Sequence, residues 1–181
     1  MTPEEFRKEI LPEGRRLYAF AYRFLNNREE AEDAVQEVMM KLWSRRNDKS
    51  RYASTAAWCT TVTRNYCIDI LRRKNRLRLE SLSEAAGVSA AQRGDEGTGD
   101  EREAAGVVSA IVRRMKEPGR SAIILRDMEG YSYEEAAEAM GTNVAALRTL
   151  ISRARKQIRE EMNRIYNYGT GEDNRTDKQV F

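Results

Sequence analysis

After Pro12 the apolar residues Leu17, Phe20, Ala21 and Phe24 recur at i, i+3, i+4 and i+7, which is one stripe of an amphipathic helix that Asn26 and Asn27 end. A second helix begins near Arg28. Glu29, Glu30, Glu32 and Asp33 fill its first turns, where carboxylates suit the positive end of the helix dipole, and its stripe is Ala31, Val35, Val38, Met39 and Leu42. The pattern fades in the polar loop 45–50. It resumes at Ser54 or Thr55 with Trp58, Val62, Tyr66, Ile70 and Leu71, then runs into the basic stretch 72–78. From 83 to 106 the chain is mostly Ala, Gly, Ser and acid, with no aromatic residue. Helical spacing returns near Ala104 (Val108, Ile111, Val112, Met115), breaks at Pro118-Gly119, and continues as a short apolar helix over 121–128.

The closing third carries the sharpest local signal. A short amphipathic helix over 133–140 stops at Gly141, and Asn143 can cap a new helix by accepting a backbone N–H bond. Helix, tight turn with Gly and basic helix is the pattern of a helix-turn-helix, whose second helix enters the DNA major groove. Ala136, Ala137, Leu147 and Ile151 are the expected packing positions between the two helices. With three prolines and few β-branched runs, the fold class expected is all-α. The domain reading is an N-terminal helical domain over 1–80, a flexible acidic linker over 81–103, a C-terminal helix-turn-helix domain over 104–165 and a frayed tail over 166–181.

Net charge changes this picture little, since 32 basic residues against 29 acids leave only +3 over 181 residues. Distribution matters more. Basic residues cluster at 72–78 and 148–159, acids at 29–37 and 95–103, so local fields of opposite sign imply more than one charged partner. Glu129, Glu134, Glu135 and Glu138 precede the turn, and no acid lies between Val144 and Arg159, so one helix of the pair is suited to face phosphate. There is no His, which removes the commonest metal ligand and general base, and no cofactor is expected. Cys59 and Cys67 are eight residues apart on one helix, too distant to bond each other, and read as small buried residues of a reduced, cytoplasmic protein. No apolar run approaches a membrane span, so no direct membrane insertion is expected.

Three groups of residues are candidates for binding. In the second helix Asp33, Gln36, Glu37 and Lys41 form a polar edge beside the apolar stripe, suited to docking on a basic partner helix, while Leu42 and Trp43 are expected to cap the core. In the third helix Arg64, Asn65 and Asp69 share roughly one face, with Arg72 and Arg73 a turn beyond; Asn can pair with a base edge and Arg can grip phosphate. Asp69 fits equally a salt bridge to Arg72 or Arg73 that stiffens the helix. Tyr52, in the loop before this helix, supplies an aromatic ring on which an unpaired base could stack, whereas Trp58 is expected in the core. In the last helix Arg148 and Thr149 are the candidates for base or phosphate contact beside the cap Asn143, and Arg153, Arg155 and Lys156 for backbone contact.

Three motifs in order invite a family comparison. The run 28–43 (Arg-Glu-Glu-Ala-Glu-Asp-Ala-Val-Gln-Glu-Val-Met-Met-Lys-Leu-Trp) resembles the polymerase-binding helix of bacterial sigma factors. The run 58–73 is similar to the helix that follows it there, and 122–155 to their promoter-reading C-terminal domain. With room for two domains only, the resemblance is to the compact extracytoplasmic-function type. It implies a non-enzymatic protein that docks Asp33, Gln36, Glu37 and Lys41 on the clamp helices of the largest subunit of core RNA polymerase. It also implies capture of the opened −10 promoter strand by the third helix, and placement of the last helix in the −35 major groove. An anti-sigma factor is implied as a further partner. Ala146 and Leu150 depart from the family pattern, where a hydroxyl and a basic residue are commoner, which bears on the −35 sequence read and not on the docking mode. The rival reading is a stand-alone helix-turn-helix regulator that binds an operator as a dimer. It requires a dimerisation surface or sensing pocket, and 1–78 shows no such signature.

Overall fold

The computed structural model describes residues 1–84 and 100–170, and among these there is no strand. Eight helices follow in order: α1 (Pro3–Glu9), α2 (Gly14–Leu25), α3 (Arg28–Ser44), α4 (Thr55–Glu84), α5 (Asp100–Arg114), α6 (Gly119–Ile123, continued as a π-helical turn over Ile124–Met128), α7 (Tyr133–Ala139) and α8 (Val144–Thr170). Short 3₁₀ turns at Leu11–Glu13 and Arg46–Arg51 join the first four.

Local chemistry sets most boundaries. Asn26 closes α2 in the left-handed conformation (φ 53°), and Asn27 opens α3 by accepting the Glu30 N–H at 3.0 Å. Helix α1 precedes the first periodic stripe and was not anticipated. Its signal is a capping box, in which the Glu5 N–H donates to Thr2 Oγ1 (3.2 Å) and the Thr2 N–H to Glu5 Oε2 (2.8 Å), with Pro3 in the first turn. Helices α4 and α8 overrun the expected ends at 80 and 165, because neither Gly nor Pro interrupts 55–84 or 144–168 and a polar composition alone does not stop a helix. Helix α5 likewise starts at Asp100, before the expected 104. The rest of the expected linker and tail, 85–99 and 171–181, lies outside the described residues.

Two apolar clusters hold the molecule. One belongs to the first four helices and contains Phe6, Ile10, Leu17, Val38, Leu42, Trp58 and Cys59. The other is continuous across both halves: Phe20, Phe24, Cys67 and Ile68 pack with Ile111, Ile123, Ile124, Tyr131, Leu147 and Ile151. The halves therefore share one core. Several polar groups at the junction are paired across it. Thr60 Oγ1 donates to the Tyr131 hydroxyl at 3.0 Å, and the Arg16 guanidinium lies 3.6 Å above the Tyr131 ring. Arg23 pairs with Glu129, and Arg113 Nη1 donates to Asn26 Oδ1 at 2.7 Å.

Cys59 and Cys67 are free thiols with no exposed surface. Burial pushes both up to about 12, from an ordinary value of 9.0. A raised folded value means that the unfolded chain loses its thiol protons first. Stability is then fully kept below about pH 9 and lost as the pH rises toward 12. Urea unfolding at stepped pH should show this loss, and a Cys59→Ala/Cys67→Ala chain should lose less over the same window.

Candidate polymerase and nucleic-acid interfaces

Helix α3 buries Ala31, Ala34, Val38 and Leu42 against α2 and α4, which turns its polar edge outward. Asp33 and Gln36 are exposed and Glu37 is half-buried, and none has a hydrogen bond or ion pair among the described residues. Neighbouring acids are spent internally: Glu32 on Arg28 (3.0 Å) and Glu30 on Lys74. These three polar groups share one helix edge, and no internal side-chain bond would have to break for a partner to bind there. Lys41 stands apart from them, with its ammonium 4.5 Å from the Tyr66 ring centroid. Leu42 is fully buried, as its core role requires. Trp43 is 37% exposed and only leans on the core, edge-on to Phe6 at 5.2 Å.

Helix α4 divides the residues expected to share a face. Asn65 and Asp69 are exposed at i, i+4, whereas Arg64 lies one position back and turns with Ile68 toward the second half. Arg64 Nε donates to Ser121 Oγ at 2.9 Å, and its Nη2 lies 3.4 Å from Glu117, leaving the side chain 14% exposed. This corrects the expectation of one open Arg64–Asn65–Asp69 face: a 100° step per residue carries Arg64 into the inter-half contact. Of the two readings of Asp69, the salt bridge is present, at 3.7 Å to Arg72. Arg73 is exposed, with its Nε 3.4 Å from the Asp69 carbonyl. Trp58 is buried as expected, and the half-buried Tyr52 ring tilts 6.4 Å from it.

The helix-turn-helix is assembled by its caps. Ser132 accepts the Glu135 N–H at 3.1 Å, while the Glu135 carboxylate accepts the Ser132 N–H at 2.8 Å, a bond that holds Glu135 below the usual carboxylate range. Gly141 then takes φ +63°, a left-handed turn that costs an L-residue about 1 kcal/mol or more. Asn143 Oδ1 accepts the Ala146 N–H at 2.8 Å and opens α8. Ala136, Ala137, Leu147 and Ile151 are all buried between the two helices, as their spacing predicts.

Outward from that core, Arg148, Thr149, Arg153 and Lys156 follow one another at helical spacing along the exposed side of α8. Arg148 lies 4.8 Å above the Tyr133 ring, and Thr149 Oγ1 bonds back to the Ala145 carbonyl at 3.2 Å. Arg153 has no partner among the described residues, and Lys156 reaches Glu160 only at 3.9 Å. Arg155 is different. Its guanidinium makes a two-pronged bond to Asp127 at 2.8 and 2.7 Å, which raises its pKa further and pins α8 to the π-helical turn. Its expected backbone contact to DNA would compete with this internal pair. Asp127, Glu117 and Ser121 went unnoticed in the sequence because each acts on a residue 28 or more positions away, beyond any local period.

The cap and contact roles of Asn143 separate by experiment. Asn143→Ala is expected to cost about 1 kcal/mol of stability in urea unfolding, the usual loss for a helix N-cap. Duplex affinity that falls by tenfold or more under folding conditions would add a direct DNA contact to the cap.

Among the described residues no group of three His, Cys, Asp or Glu side chains could hold a metal ion, and no helix is long and apolar enough to cross a membrane.

Known proteins with similar sequences converge on one family. The profile of sigma-70 region 2 matches residues 10–77 and that of sigma-70 region 4 matches residues 106–158, together about two thirds of the chain. The ECF RNA polymerase sigma factor SigE of Mycolicibacterium smegmatis is 30% identical over 146 residues, covering 80% of this chain and 56% of that protein. The ECF RNA polymerase sigma factor EcfG of Rhodopseudomonas palustris is 26% identical over 155 residues, covering 86% of this chain and 83% of that protein. Among solved structures, the sigma factor RpoE of Bartonella quintana, crystallised with the anti-sigma factor NepR, superposes with a TM-score of 0.66 at 27% identity, covering 88% of this chain and 98% of that one. The chain spans about half the length of the mycobacterial relatives it matches.

Proposed function

We infer, because this chain belongs to the sigma-70 family and within it to the extracytoplasmic-function type of RNA polymerase sigma factor, that it binds core polymerase, directs it to specific promoters and helps open the −10 element. The reading is carried by the ordered pair of region 2 and region 4 matches, the second of which lies on a helix-turn-helix with an acid-free outer stripe. Asp33, Gln36 and Glu37 on α3 dock on the clamp helices of the largest polymerase subunit, with Lys41 at the margin of that contact. Asn65, Arg72 and Arg73 on α4, with Tyr52 before it, hold the opened −10 strand. Arg148, Thr149, Arg153 and Lys156 on α8 approach the −35 duplex, with Asn143 at the head of the helix. Asp69 orients Arg72 through their ion pair.

Arg64 is held by Ser121 and Glu117 in the packed arrangement, so it can join this DNA surface only when the two halves part locally. An anti-sigma factor is the partner expected to exploit such packing, as the NepR-bound neighbour suggests. The setting is the cytoplasm, where polymerase and promoter are, and no catalytic step is assigned to the chain itself.

The test is reconstitution with core polymerase. Stoichiometric retention on core enzyme, together with initiation from a promoter that core alone ignores, is the expected result. No retention with duplex binding intact at moderate salt would favour the stand-alone regulator.

A further inference from the structure

A cleft of about 510 Å³ opens where the two halves meet, within the range of about 300–1,000 Å³ usual for small-molecule sites. Its charged lining is Arg72 from α4, then Arg113, Arg114, Lys116, Glu117 and Arg120 from the end of α5 and the start of α6. Five cations thus surround one carboxylate. That carboxylate, Glu117, accepts from Ser121 Oγ at 2.6 Å and faces Arg64, a sixth cation, at 3.4 Å. Arg114 and Lys116 are exposed, and their side chains have no hydrogen bond or ion pair among the described residues.

Arg120 adds an observation of a different kind. It is only 9% exposed, its guanidinium lies 4.6 Å from the Phe24 ring centroid, and one arm donates to the Phe24 carbonyl. Its Nε is buried with no acceptor. A buried guanidinium donor without a partner is uncommon, and so is a cleft lined by so many like charges. A multivalent oxyanion would relieve the crowding of like charges, since guanidinium groups bond phosphate in forked geometry and ammonium groups as point charges.

We propose that this cleft binds a small free anion of the diphosphate or triphosphate class, held between Arg72 of the first half and Arg113, Arg114, Lys116 and Arg120 of the second. Because the walls come from both halves, the anion favours their packed arrangement and stabilises it by mass action. The site shares Arg72 with the proposed −10 surface but does not rest on the sigma reading, and a folded chain binds the anion whether or not it binds polymerase.

The test is calorimetric titration of the full chain with sodium diphosphate, with sodium chloride at matched ionic strength as the control for screening. A saturable one-to-one heat and a raised melting temperature are expected. Arg114→Gln/Lys116→Gln, which removes two exposed and unpaired cations, should weaken diphosphate binding by about tenfold or more while leaving the anion-free melting temperature unchanged. Arg72→Gln, on the opposite wall, should weaken it as well, and Arg153→Gln on α8 should not. No saturable heat, or equal affinity in the wild-type chain and the double variant, would overturn the proposal. A single-stranded oligonucleotide that binds more tightly than diphosphate, with the same loss in the double variant, would assign the cleft to nucleic acid and overturn it too. Binding of poly-glutamate but not of diphosphate would make it the seat of an acidic protein partner, with the same consequence.

Discussion

Replacing Asp33, Gln36 and Glu37 together by Ala is expected to cut retention on core polymerase by at least tenfold while leaving the fold intact. The fold should survive because none of the three side chains has an internal partner and Ala is the best helix former. The apolar side of α3 (Ala31, Ala34, Val38, Leu42) is untouched. The loss should be large because charged groups set against a complementary partner contribute both to the encounter rate and to the lifetime of a complex. Salt titration sharpens the test: the wild-type association should weaken as salt rises, and that of the triple variant should weaken less steeply. Retention untouched by the substitution would move the docking face away from this edge of α3, and the exposed Met40 and Trp43 would be the next residues to change. A control at Glu32, which is already engaged by Arg28, should have a smaller effect.

Phe24→Ala should carry the largest cost in stability, about 3–5 kcal/mol, which is the usual penalty for removing a buried phenyl group and leaving its cavity. Phe24 has no exposed surface, stacks on Phe20 with centroids 5.4 Å apart, and supports the Arg120 guanidinium from the other half. Since one core runs through both halves, the damage should reach α7 and α8, far from residue 24 in sequence. Chemical denaturation followed by circular dichroism gives the size of the loss, and hydrogen exchange gives its extent. Amides of α8 that keep wild-type protection while α2 and α4 open would mean that the halves fold separately and only touch. Loss of protection in both together would make the packed form a single cooperative unit.

Local signals carried a large part of this structure. The stripe Leu17–Phe20–Ala21–Phe24 is buried as its spacing predicts, as are Ala136, Ala137, Leu147 and Ile151. Asn26, Gly141 and Asn143 punctuate the chain where turn and cap chemistry predicts. Where the reading fell short, two separate reasons applied. Helix α1 was legible in Thr2-Pro3-Glu4-Glu5 but lacks a long stripe, so a search for periodicity passes over it. Helices α4 and α8 run past the polar stretches at 80 and 165, because a polar composition with no Gly or Pro gives a helix little local reason to end.

The roles of individual cations divide along the same line. That α8 presents a basic, acid-free stripe follows from residue order alone, because the 3.6-residue repeat fixes which side chains share a face. That Arg155 is bound to Asp127, and Arg64 to Ser121 and Glu117, does not follow from order. Those bonds join residues 28 to 57 positions apart, and they exist only because of how whole helices dock on one another. Residue order was sufficient for the longer helices, the caps of the helix-turn-helix and the family. Which cations remain free, and that the two halves close over a shared core and a cationic cleft, depended on packing between distant segments, for which no local period exists.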